Sequence, residues 1–182
     1  MKNSMIICLL AFSFGAIPDK AKAQVGLSDT TVSIINRPRS SQGITFINIE
    51  EVNDFESVFT TEQSKELTSL IKKFKLANFA VVTTSSFDPH ENISEYASDF
   101  MDNADYRRER LVVFALSKNK MSFKMLVGSR LQGVLTEEEC REILHENMIA
   151  EFENGNFYDG IKTGIIVAMD KIKNAMGQPV KN

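Results

Sequence analysis

Few residues in this chain have the type and spacing to do chemistry. Its only histidines are His90, in an Asp88-Pro-His loop, and His145. They form no His-x-x-x-His pair and no histidine-rich metal site, and both read as surface side chains. Cys140 is a candidate nucleophile by type alone. It falls on the apolar stripe of an amphipathic segment, where a small buried thiol packs well and stays unreactive. Gly128, Gly133, Gly155, Gly160 and Gly164 include no phosphate-binding loop with its Gly-Lys-Ser/Thr ending, and Gly160-x-x-x-Gly164 reads as a close-packed helix start. Arg107-Arg-Glu-Arg110 can hold a phosphate or carboxylate, because guanidinium binds such groups in bidentate fashion; a solvated loop is the simpler reading. Asp54, Asp102, Asp105 and Glu109 read as loop carboxylates next to helix or strand ends. Hard cations such as Ca²⁺ and Mg²⁺ want oxygen ligands of this kind.

The elements that must position these residues centre on Leu111 to Gly133. Leu111 to Leu116 is an unbroken apolar run, short enough for a strand buried on both faces. Met121 to Val127 puts Met121, Phe123, Met125 and Val127 on one face and Ser122, Lys124 and Leu126 on a wetter one. The four polar residues Ser117 to Lys120 are too few for a parallel crossover, so the pair is an antiparallel β-hairpin spanning 111–127. Its open end brings Arg107–Arg110 beside Gly128–Gly133.

The first 23 residues have the sections of a secretory signal: Lys2, the apolar run Met5 to Ile17, and Ala21-x-Ala23 before Gln24. The expected location is outside the cytoplasm, periplasmic or secreted. Cleavage there leaves 159 of 182 residues and removes three lysines and one aspartate, so the net charge moves from −3 to −5. That balance disfavours nucleic acid as a partner. Cys8 leaves with the signal, and Cys140 then has no intramolecular disulfide partner. No stretch approaches the roughly 20 apolar residues of a membrane-spanning helix.

Residues 24–43 lack periodicity and read as a leader, 44–176 as one domain, and 177–182 as a tail. Within the domain, Ile44 to Ile49 and Phe79 to Thr84 have strand-like content. Thr60 with Gln63 and Thr136 with Glu139 are capping-box patterns, and Asn92 with Glu95 repeats the pattern more weakly. A last helix runs from about Asp159 to Ala175. The order strand, helix, strand, helix, hairpin, helix, helix predicts an α/β fold, a three-layer α/β/α sandwich with a mixed sheet.

VNDFESVFTTEQ at 52–63, FAVVTTSSF at 79–87, ISEYASDFM at 93–101, LVGSRLQGVLT at 126–136 and FENGNFYDGI at 152–161 together resemble the TPM domain. That domain is shared by exported bacterial proteins and by thylakoid lumen proteins that help maintain photosystem II. The resemblance implies an α/β/α sandwich, an extracytoplasmic location, and a divalent-metal site with acid phosphatase activity in some members. Asp54 matches the family's acidic residue in a Val-x-Asp opening, and Gly128 and Gly133 match its glycines after the hairpin. Where many members have Asp-Asn-Gly before the third strand, this chain has Arg108-Glu109-Arg110. With the loop carboxylates read above, the candidate metal ligands are Asp54, Asp105 and Glu109, with Ca²⁺ or Mg²⁺ as the candidate cofactor, and the candidate binding residues are Arg108, Arg110, Gly128, Arg130 and Gly133. Guanidinium groups flanking Glu109 compete with a cation for its carboxylate. The expected function is therefore that of a monomeric accessory or binding module for an envelope protein or complex. The alternative is a weak metal-dependent phosphomonoesterase.

Overall fold

A computed structural model describes residues 49–104 and 109–177. The elements, in chain order, are β1 (Val52–Asp54), α1 (Thr61–Lys73), β2 (Asn78–Thr83), α2 (Ile93–Asn103), β3 (Leu111–Ser117), β4 (Ser122–Val127), a 3₁₀ turn (Ser129–Leu131), α3 (Glu137–Asn147), α4 (Ile149–Glu153) and α5 (Phe157–Met176). The strands form one sheet in the order β1-β2-β3-β4, parallel except for the antiparallel β3–β4 hairpin.

The central strands are apolar at consecutive positions because both sheet faces are covered. Phe79, Val81, Val112, Phe114, Leu116, Met125 and Val127 point to one face, where α1, α3, α4 and α5 pack. Ala80, Val82, Leu111, Val113, Ala115 and Leu126 point to the other, covered by Ile93, Tyr96, Ala97, Phe100 and Met101 of α2. Two cores separated by a sheet make the three layers.

Helix starts follow their capping residues. The hydroxyls of Thr60 and Thr136 accept from the N–H groups of Gln63 and Glu139, whose side chains accept from the threonine N–H in return. Asn92 accepts from the N–H groups of Ser94 and Glu95. The last helix begins at Phe157, two residues before Asp159, and a short α4 that periodicity did not reveal precedes it. A Cβ at Gly160 would lie 2.6 Å from the Phe152 ring, and one at Gly164 would lie 2.5 Å from Met148 Sδ. This α5 face therefore does approach its neighbours closely.

Among the described residues the sheet opens with Val52–Asp54; the expected strand Ile44–Ile49 lies outside the described residues except for Ile49, which is in no strand. Two expectations change. Beyond the half-buried Ser122 the second face of β4 is dry: Leu126 is buried, and Lys124 is only 3% exposed, because α2 lies across both hairpin strands. Asp102 belongs to α2 and not to a loop.

One topological feature departs from the general rule. β1, β2 and β3 run parallel and lie side by side in chain order, yet α1 covers one face and α2 the other. Two steps in the same direction with helices on opposite faces have opposite hands. One of these crossovers is thus left-handed, against the strong preference for right-handed ones.

Candidate functional site at the open end of the hairpin

The ladder between β3 and β4 closes where the Gly128 N–H donates to the Leu111 carbonyl at 2.8 Å. The Gly128 carbonyl then accepts from the Leu131 N–H at 2.9 Å, which winds Ser129–Leu131 into the 3₁₀ turn. Leu131 is fully buried, so the turn is anchored from below while Arg130 projects from it. The Arg130 Nε stands 2.6 Å from Glu109 Oε2, with the two side chains 67% and 55% exposed. The two segments expected to meet at this end therefore do meet, through an ion pair.

Arg110 is also exposed, and its guanidinium lies 3.9 Å from Met176 Sδ at the end of α5. Gly133 is exposed, has no positive φ, and a Cβ there would meet nothing within 4 Å. Neither space nor backbone conformation demands glycine at that position. Asp105 and Arg108 lie outside the described residues.

Asp54 is elsewhere. Register aligns it with Thr83 and, through Thr83, with Leu116, whereas Glu109 precedes Leu111, which aligns with Asn78. At about 3.3 Å per residue, five residue steps place the two carboxylates roughly 16 Å or more apart, at opposite ends of the sheet. One ion cannot take both. The Asp54 carboxylate is occupied locally: Oδ1 accepts from the Val58 N–H at 2.9 Å and the Thr83 hydroxyl at 2.5 Å, and Oδ2 from the Phe59 N–H at 2.9 Å. It turns the chain from β1 towards α1.

Ca²⁺ takes six to eight oxygen ligands and Mg²⁺ about six. Among the described residues, no group of three or more histidine, cysteine, aspartate or glutamate side chains could hold a metal ion. At the open end Glu109 must also be shared with Arg130. The described side chains thus do not fit a divalent cation, but they do present an exposed ridge of mixed charge.

Other side chains fall differently from their sequence reading. His145 is exposed. His90 is not a surface residue: its Nε2 lies 3.2 Å from Asp99 Oδ2, the two side chains are only 14% and 12% exposed, and its ring meets Tyr96 edge-on. Sequence gave no sign of this, because the loop folds back onto α2 from nine residues away. Burial pushes the Cys140 thiol up to about 12, assisted by the nearby Glu139 charge. Glu56, unremarked in the sequence, caps the closed end of the hairpin, where its carboxylate accepts from the Lys118 and Asn119 N–H groups at 2.8 and 2.7 Å.

A family model described as the TPM domain matches residues 52–171. Comparison with curated proteins gives no match. Among solved structures, the N-terminal domain of a protein from P. gingivalis superposes with a TM-score of 0.63 at 17% identity, covering 71% of this chain and 86% of that one. BA42 from the psychrophilic bacterium Bizionia argentinensis gives 0.57 at 17% identity, covering 66% and 85%. The N-terminal domain of cg2496 from Corynebacterium glutamicum gives 0.51 at 11%, covering 84% and 93%. At these identities the likeness is one of fold.

Proposed function

Because this chain belongs to the TPM-domain family, we propose that it acts as an exported accessory or binding module for a protein or complex of the cell envelope, through the open end of its hairpin. The observation that carries this reading is the exposed Glu109–Arg130 ion pair, 2.6 Å long, on a turn anchored by buried Leu131. Metal-assisted hydrolysis needs a cation or base held near a phosphate site. Here the carboxylate best placed for that is engaged by a guanidinium, while Asp54 serves a loop at the far end of the sheet. A binding surface needs only shape and charge, and a weak exposed ion pair, contributing about 0.2–1 kcal/mol, is readily exchanged for a partner's charges. Export rests on the signal-like segment at residues 1–23.

Affinity capture from envelope extracts, with partners identified by mass spectrometry, tests the reading. The expected result is a defined partner that is lost on the reversal Glu109→Arg with Arg130→Glu. Calorimetry supplies the counter-test. Ca²⁺ and Mg²⁺ should bind poorly, and the family pattern restored by Arg108→Asp, Glu109→Asn and Arg110→Gly should strengthen binding. Micromolar metal affinity in the unmodified protein, with metal-dependent release of phosphate from a generic ester, would instead make it a phosphatase.

A further inference from the structure

Among the described residues, β1 is hydrogen-bonded to a strand on one side only, so its other side is a sheet edge. The Glu51 carbonyl accepts from the Val81 N–H at 2.8 Å and thus faces β2. Successive residues of a strand turn their backbone groups to opposite sides, so the N–H and C=O of Val52 face the edge. Beside that edge runs an open groove of about 610 Å³ between Glu50 and Val52 on one wall and Lys65, Thr68, Lys72 and Lys73 of α1 on the other. Lys72 reaches the Glu51 carboxylate at 3.5 Å. Among the described residues, Lys65 and Lys73 are exposed and make no ion pair.

An edge with free backbone donors and acceptors is a template for another extended chain. Its charge selects which chain. Lysines beside an edge repel a second copy carrying the same lysines, and such charges are a common guard against self-pairing. Residues 24–48 of this chain carry Asp29, Arg37 and Arg39, a net positive charge that the lysine wall also disfavours. Alternating carboxylates on an incoming strand would meet the lysines while its backbone meets Val52.

We propose that the β1 edge and the lysine-bearing face of α1 form a docking site for an extended acidic segment of a protein partner, added as a fifth strand beside β1. The inference rests on the binding-module reading for the presence of a protein partner, and not on the open end of the hairpin, which is built on β3 and β4.

The probe is a synthetic decapeptide alternating valine and glutamate, titrated into isotope-labelled protein and followed by amide chemical shifts. Saturable shifts at Val52, at Asp54 and along α1 are expected. Lys65→Glu with Lys73→Glu should weaken binding at least tenfold, and an unchanged thermal midpoint shows the variant to be folded. N-methylation of alternate peptide amides should abolish binding on one edge of the peptide and leave it intact on the other, a control that leaves the protein unaltered. The proposal is overturned by any of four results: no saturable shift at the β1 amides, equal affinity for the lysine variant, equal affinity for a lysine-valine peptide, or binding only after residues 1–48 are removed. The last would make the chain's own N-terminal segment the occupant. Envelope capture that depends on Glu109 and Arg130 would still stand if the peptide failed, so the two readings fail separately.

Discussion

Gly160 shows how a single residue is held to its type by packing. A Cβ there would lie 2.6 and 2.9 Å from two atoms of the Phe152 ring and 3.2 Å from the Met148 carbonyl oxygen. A ring and a backbone atom yield less easily than the end of a flexible side chain. Overpacking costs about 1–3 kcal/mol, while alanine gains about 1 kcal/mol over glycine in a helix. Gly160→Ala should therefore lower stability by about 1 kcal/mol in denaturant titration, and an increase would contradict the packing argument. Cys140 supports a second prediction. With its thiol pushed up to about 12 by burial and the adjacent Glu139, almost no thiolate exists near neutral pH, and the side chain is only 1% exposed. Thiol reagents should label it slowly in the native protein and fast in denaturant. Fast native labelling would reopen it as a nucleophile.

At the scale of elements, α1, α2 and α3 start on side-chain caps, and α1 and α5 are joined along their flanks. The α3 start rests on the reciprocal Thr136–Glu139 bonds at 3.3 and 2.8 Å, so Thr136→Ala should cost about 1 kcal/mol, read from the unfolding midpoint. The flanks of α1 and α5 meet through Glu66, whose carboxylate accepts from the Tyr158 hydroxyl and lies 3.4 Å from Lys162 Nζ. The Tyr158 hydrogen bond, and after it Lys162, hold the Glu66 carboxyl below the usual 4.5. A group whose pKa is lowered by folding adds stability that is complete above its unfolded value and is lost as the pH falls through the folded one. Tyr158→Phe should therefore shrink the loss of thermal stability on acidification below about pH 4.5. An acid limb equal to that of the unmodified protein would mean that the contact is idle in solution.

For the molecule as a whole, the sheet separates two chemistries. The C-terminal ends of β1 and β2 and the loop after β1 hold Asp54, Thr83 and Glu56 in loop-closing hydrogen bonds, while the opposite end of the sheet presents Glu109, Arg110 and Arg130 to solvent. Among the described residues no helix is long and apolar enough to cross a membrane. If residues 1–23 are a cleaved signal, the mature chain begins at Gln24. Sequencing of the mature N-terminus is the check, and a chain that retains Met1 or carries a lipid on Cys8 would refute export by this route.

The sequence by itself determined what neighbours within a few residues decide. Capping hydroxyls three positions before their glutamine or glutamate partners located α1 and α3, an apolar run bounded by polar residues located β3, and a four-residue polar link required an antiparallel hairpin. Even the contact between the segments around Glu109 and Arg130 was legible, because hairpin pairing is local. Only the tertiary structure decided the rest. The parallel register of β1, β2 and β3 puts Asp54, at the end of β1, and Glu109, before the start of β3, at opposite ends of the sheet, and no pattern of nearby residues encodes which strands pair or in what register. The same holds for Lys124, which alternation placed on a wet face until α2 covered it, and for His90, turned inward by a carboxylate one helix away. Propensity and periodicity report local backbone preferences, whereas burial and convergence depend on which distant surface arrives.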